Sequence, residues 1–153
     1  METALLTSAF VMSIVSGLIP IVNAEVLVAG AAVAVPPGYV IPVIVVCSVG
    51  HMAAKAGLYA GARWLPERLP AKARDRLERA SEKTRRLEQA GFTLVLVSAA
   101  VGIPPFYLIT LAAGAMRMNF TWFIVVGLLG RGVRFAVIAY SAVAAGGVIQ
   151  GTL

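Results

Sequence analysis

Two long stretches near the start of the chain carry no charge: none lies between Leu5 and Val22, and none between Val26 and Gly50. Runs of this length match the roughly 18 apolar residues that suggest a membrane-spanning helix. The hydrophobic pattern predicts five segments. Residues 4–35 are apolar but broken by Gly17 and Pro20, with Asn23 and Glu25 just after the break. Pro36-Pro37-Gly38 then forms a turn that stops any helix. Residues 39–62 are the cleanest spanning candidate, reaching ~36 Å as a helix against a hydrocarbon core of ~30 Å. Residues 63–91 are polar and charged, and residues 92–116 are apolar with an interruption at Gly102-Ile103-Pro104-Pro105. Residues 120–149 are again long and apolar but carry Arg131 and Arg134 internally.

Two of these segments repeat one another. Ile19-Pro20 leads to Ala29-Gly30, and Ile103-Pro104 leads at the same spacing to Ala113-Gly114. Each unit then runs into one long apolar segment. Paired Pro-interrupted apolar segments are the signature of a repeat transporter whose discontinuous helices line a site near the bilayer midplane. Chance matching of small residues in so apolar a chain is the competing explanation. A helix over residues 92–102 reaches only ~17 Å, too short to cross. The segments around Pro20 and Pro104-Pro105 are therefore expected to be re-entrant hairpins, with Pro20, Gly30, Pro104, Pro105 and Gly114 as the hairpin breaks. A hairpin followed by one crossing places the next hairpin on the opposite face, so the repeat is inverted. Backbone broken at membrane depth cannot face lipid, because unsatisfied amide groups cost several kcal/mol there. Function is therefore sought where these breaks lie.

Composition agrees with a membrane chain: 59% of the 153 residues are hydrophobic and 13% charged, where soluble domains are about half apolar and a quarter charged. Residues 63–91 hold nine Lys or Arg against five acids and supply most of the net +6. A basic segment beside an apolar one places this segment in the cytoplasm. Within it, Leu69, Ala73, Leu77, Ala80, Thr84 and Leu87 recur at helical spacing, which predicts an amphipathic helix at the headgroups or a solvated helical connector. Interleaved acids and few aromatics argue against nucleic-acid binding. The small-residue sequence Val22-Asn23-Ala24 resembles a signal-peptidase site, but no basic residue precedes it, and the N-terminal segment is read as retained.

Intramembrane ionisable groups are functional candidates by default. Here they are Glu25, His51, Lys55, Arg131 and Arg134. Glu25 follows a helix break, where freed amide groups favour a carboxylate. His51, Lys55 and Tyr59 lie one turn apart in a row, and Arg131 and Arg134 share a face as two guanidinium forks suited to a phosphate. Each also has a plainer reading: Glu25 paired with an arginine or Lys55 to hold the bundle, His51 as a packing residue, Lys55 snorkelling to the cytoplasmic edge, and Arg117 at an interface. Gly57 and Gly61 are read as a small-residue packing pair, and Cys47 as structural. With one histidine and one cysteine, no metal site is expected. Walker A, Rossmann and GxSxG patterns are absent, so neither an enzyme nor a cofactor is expected.

Pro20 through Glu25 into Val28-Ala29-Gly30, then Gly50, Lys55, Tyr59 and Arg63, and Ile103-Pro104 through Ala113-Gly114-Ala115, Phe123 and Gly130-Arg131 together resemble the DedA/VTT-domain family of small membrane proteins. The match spans roughly 17–140. It implies an all-α integral membrane protein with two opposed re-entrant hairpins, each followed by a transmembrane helix. It also implies a multi-pass position in the plasma membrane, the inner membrane in a bacterium. The activity it implies is translocation of lipid, either scrambling of an anionic phospholipid or return of a polyprenyl-phosphate carrier. Many members have an arginine just after the second-hairpin proline, where this chain reads Pro105-Phe106-Tyr107. Arg131 and Arg134 are the arginines available to replace it. The rival functions are a small proton- or ion-coupled transporter using Glu25 and His51, and a non-transporting assembly factor whose basic segment recruits a partner. A homo-oligomer stays open.

Overall fold

In the computed structural model, residues 2–19, 22–68 and 88–151 are described, and every regular element among them is helical. The first apolar segment is α1 (Glu2–Leu18) and α2 (Ala24–Ala34). A short 3₁₀ turn at Pro37–Tyr39 then leads into the long helix α3 (Val40–Arg68). After the undescribed residues come α4 (Glu88–Val101), α5 (Phe106–Ala115) and the long α6 (Phe120–Gly151).

The breaks fall where backbone chemistry requires them. Asn23 caps α2, its side-chain Oδ1 accepting from the Glu25 amide at 2.9 Å. Asn119 does the same for α6, accepting from the Trp122 amide at 3.2 Å. At the end of α4, Gly102 takes φ 86°, a conformation natural to glycine after a helix end. Ser98 Oγ donates to the Pro104 carbonyl at 2.5 Å, satisfying a group that the break leaves without a helical partner. The Ile103–Pro104 peptide is cis.

Several boundaries differ from the expected ones. α3 continues past residue 62 to Arg68, and α4 begins at Glu88 rather than 92. Charged residues are good helix formers, so the end of the apolar stretch need not end the helix. The amphipathic helix expected across residues 69–87 lies outside the described residues, as does Pro20 itself. Gly30 sits inside α2 and Gly114 inside α5, so neither glycine is a point where the chain breaks. The gaps run from Leu18 to Ala24 and from Val101 to Phe106.

The chain forms two compact units: residues 1–54 with 131–153, and residues 55–130. In the first, α1 packs on α2 and the core gathers Val28, Val43, Cys47, Phe135 and Ala139, each fully or almost fully buried. The Phe10 carbonyl and Ser13 of α1 approach so close to Gly50 that a Cβ there would stand 2.8 Å from the Phe10 oxygen. In the second, α4 packs on α5, and the Tyr59 and Phe106 rings both stack on Phe123, at 5.1 and 6.1 Å between centroids. Gly130 of α6 meets Ala99 and Leu96 of α4 in the same manner. The first helix of each broken pair, α1 or α4, thus approaches the long helix that follows the pair at a glycine.

Gly57 and Gly61, expected to pack, face open space, whereas Gly17, Gly50, Gly114 and Gly130 make the close approaches. Polar residues share the apolar interior, and large apolar residues face outward. Ser13, Ser16, Ser48, His51, Lys55, Ser98 and Thr110 are buried, while Ile41, Leu129, Val133 and Val137 are exposed. Exposed apolar stripes at four-residue spacing on two helices long enough to span are what a bilayer covers and water would not.

Candidate functional site

The first unit builds a charged site at the break between α1 and α2. Asn23 holds the start of α2, which puts Glu25 in the first helical turn, where the partial positive charge of the amide groups favours a carboxylate. Arg134 of α6 reaches that carboxylate with two nitrogens: Nε donates to Glu25 Oε1 at 3.0 Å, and Nη2 bonds the same oxygen. The pair is neither sealed nor open, with the Arg134 and Glu25 side chains 20% and 42% exposed.

Arg131 lies one turn before Arg134 and is buried at 8% exposure. Its guanidinium stands 5.8 Å from the ring centroid of Phe135, within the reach of a cation–π contact. Phe135 also receives His51 edge-on, with centroids 5.8 Å apart and planes at 85°. His51 Nδ1 is 3.5 Å from Ser16 Oγ, which donates to the Ser13 carbonyl at 2.9 Å. Glu25, Arg131 and Arg134 together leave one net positive charge in an apolar setting, the balance suited to a phosphate group.

Lys55 belongs to the second unit. Rather than snorkelling outward it is buried at 3% exposure, its Nζ 5.0 Å from the centroid of Tyr107 in the first turn of α5. The row that continues it places Tyr59 at 1% exposure, its hydroxyl donating to the Met118 carbonyl and accepting from Arg63 Nη1 at 3.1 Å. Arg117 is an exposed residue of the α5–α6 turn.

The sequence-predicted residues thus divide. Glu25, His51, Arg131 and Arg134 belong to the first unit, Lys55 to the second. Sequence reasoning missed Phe135, Ser16 and Tyr107 because their roles arise from tertiary neighbours. The capping role of Asn23 was available from its position immediately before Ala24-Glu25.

No curated protein matches this chain, and no solved structure matches it. The family model described as the VTT domain matches residues 19–144, which contain both helix breaks and all five of these ionisable residues. The chain is accordingly a membrane protein of the VTT-domain family, the DedA/SNARE-associated type.

Proposed function

We propose that the protein moves anionic membrane lipids between leaflets, either a phospholipid or a polyprenyl phosphate, along a polar path beside the α1–α2 break. The observation that carries this reading is the partly accessible Glu25–Arg134 pair at a helix start, with Arg131 one turn away. An arriving phosphate competes with the Glu25 carboxylate for the Arg134 fork, and Arg131 offers a second one. The headgroup is held while it passes, and the carboxylate returns to Arg134 when it leaves. Tails stay in the bilayer, so no covalent step is needed.

The architecture that serves this is a pair of re-entrant hairpins in inverted repeat, in a multi-pass plasma-membrane protein whose 63–91 segment is cytoplasmic. Helix lengths support it: α1, α2, α4 and α5 have 17, 11, 14 and 10 residues, about 26, 17, 21 and 15 Å, all short of a ~30 Å core. The α3 and α6 helices have 29 and 32 residues, about 44 and 48 Å, enough to cross. Proton- or ion-coupled transport through Glu25 and His51 is less well supported, since Arg134 engages Glu25 while His51 meets Ser16 and Phe135.

The test is reconstitution into liposomes containing a trace of fluorescent anionic phospholipid, with the outer leaflet bleached by an impermeant reductant. The wild type is expected to expose inner-leaflet lipid, and Glu25→Gln to slow that exposure about tenfold, the scale of one charge-assisted contact. Wild-type liposomes no faster than empty ones would reject the reading. So would a folded Glu25→Gln protein that transfers lipid normally.

A further inference from the structure

The second unit holds a cavity that plays no part in the charged site. It measures about 290 Å³ and lies where α4 meets the end of α5, lined by Leu94, Val95, Ile109, Ala112, Arg117 and Asn119 among others. Its walls are aliphatic, and its polar groups come from the turn that follows α5. That turn is a complete Schellman closure: the Arg117 amide donates to the Gly114 carbonyl and the Met118 amide to Ala113, each at 3.0 Å.

The residue at the left-handed position of this closure is Arg117, with φ 55°. Glycine is the default there, and a side chain with a Cβ is disfavoured. The chain keeps an arginine at the cavity wall despite that penalty. A second one stands at the same end of the unit: Arg63 donates to Tyr59 Oη, which in turn donates to the carbonyl of Met118, the neighbour of Arg117.

We propose that this cavity is a binding site for one acyl chain of an anionic phospholipid, whose phosphate is met by Arg117 with Arg63 adding positive charge nearby. The aliphatic wall suits a hydrocarbon chain, and the cations at one end select the sign of the headgroup. This site is separate from the translocation reading and holds whether or not lipid crosses at Glu25.

Tryptophan quenching by brominated lipid reads the site directly. Trp122 meets the ring of Phe92 at 5.3 Å, next in sequence to Gly91 at the cavity wall. In a Trp64→Phe background Trp122 is the only tryptophan. The protein is reconstituted in phosphatidylcholine, with brominated-chain phosphatidylglycerol or brominated-chain phosphatidylcholine titrated in. The anionic lipid is expected to reach half-quenching at about fivefold lower mole fraction, the effect of one basic residue on an anionic lipid. Arg117→Asn keeps a residue that tolerates the left-handed backbone and should remove most of the difference between the two lipids, leaving only the smaller share due to Arg63. Ala112→Phe, at an exposed lining position, should fill the cavity and weaken quenching by both. Equal quenching in the Trp64→Phe protein overturns the proposal. A preference that survives Arg117→Asn at full size does so too, because Arg117 would then make no contact with the phosphate and the preference would come from the other basic residues of the chain.

Discussion

Arg134 reaches Glu25 across 109 positions of sequence, its Nε donating to Oε1 at 3.0 Å where α2 begins. The pairing offsets the cost of placing each charge in an apolar chain, at least ~2.5–3.5 kcal/mol per group at the bilayer centre. Because both side chains keep some exposure, 20% and 42%, the pair itself contributes about 1 kcal/mol. Arg134→Gln should therefore lower the thermal unfolding temperature of the detergent-solubilised protein by only a few degrees while sharply reducing lipid transfer. The charge exchange Glu25→Arg with Arg134→Glu should recover the stability and not the transfer. Recovery of both would assign the pair a purely structural role.

The close glycine contacts make a prediction that opposes two sets of positions. A Cβ at Gly17 would stand 2.6 Å from the Ala54 Cβ and 2.9 Å from the His51 carbonyl oxygen, and one at Gly114 would collide with the Tyr59 carbonyl. Backbone cannot yield as a flexible side chain can, so Gly17→Ala and Gly114→Ala should each cost about 1–3 kcal/mol. Gly57 and Gly61 meet nothing within 4 Å. Alanine at either should be neutral or stabilising by up to about 1 kcal/mol through helix propensity. Thermal melts of the four single variants decide this, and equal losses at all four would contradict the packing described.

Tyr59 offers a separable test of the second unit. Its ring is stacked on Phe123 and tilted against Phe120 at 5.3 Å, while its hydroxyl joins Arg63 to the Met118 carbonyl. Tyr59→Phe keeps the stacking and leaves the partly buried Met118 carbonyl without its donor, so it should destabilise by about 1 kcal/mol or somewhat more. Arg63→Gln removes only the outer, half-buried donor and should cost less. A larger loss for Arg63→Gln than for Tyr59→Phe would place the stability in the charge rather than the buried hydroxyl.

How far these features were legible depends on their range along the chain. The breaks near Pro20 and at Gly102-Ile103-Pro104-Pro105 and the turn at Pro36-Pro37-Gly38 follow from local backbone chemistry, so reading the sequence places them well. The membrane character follows from uncharged runs, again a local signal. Gly57-xxx-Gly61 has the same local pattern as a packing motif, yet Gly17 and Gly50 make the contact, because only the neighbouring helix decides which glycine is needed. Glu25 was readable as a lone carboxylate after a break, but the choice of Arg134 over Lys55 as its partner was not, since Lys55 lies in the other unit against Tyr107. Arg117 looked like an interfacial charge, and its left-handed backbone and cavity wall become visible only once α4 and α5 are in place.

The last prediction separates re-entrant hairpins from ordinary crossings. With residues 63–91 cytoplasmic in both arrangements, four full crossings put the turn between α5 and α6 outside and both termini inside. Two hairpins with two crossings put that turn in the cytoplasm and both termini outside. The hairpin arrangement is favoured because α4 and α5, with 14 and 10 residues, reach only about 21 and 15 Å. It also gathers Arg117 with the other basic residues on the cytoplasmic side. Asn119 is unsuited to a reporter because its side chain caps α6, whereas Thr121 is exposed. Cys47, the one native cysteine, is fully buried and can be replaced by serine. In a Cys47→Ser background, Thr121→Cys should resist an impermeant thiol reagent added outside intact cells and react once the membrane is permeabilised. Rapid labelling from outside would show α4 and α5 crossing in full as a single interrupted span, and the re-entrant path proposed for the headgroup would be lost with it.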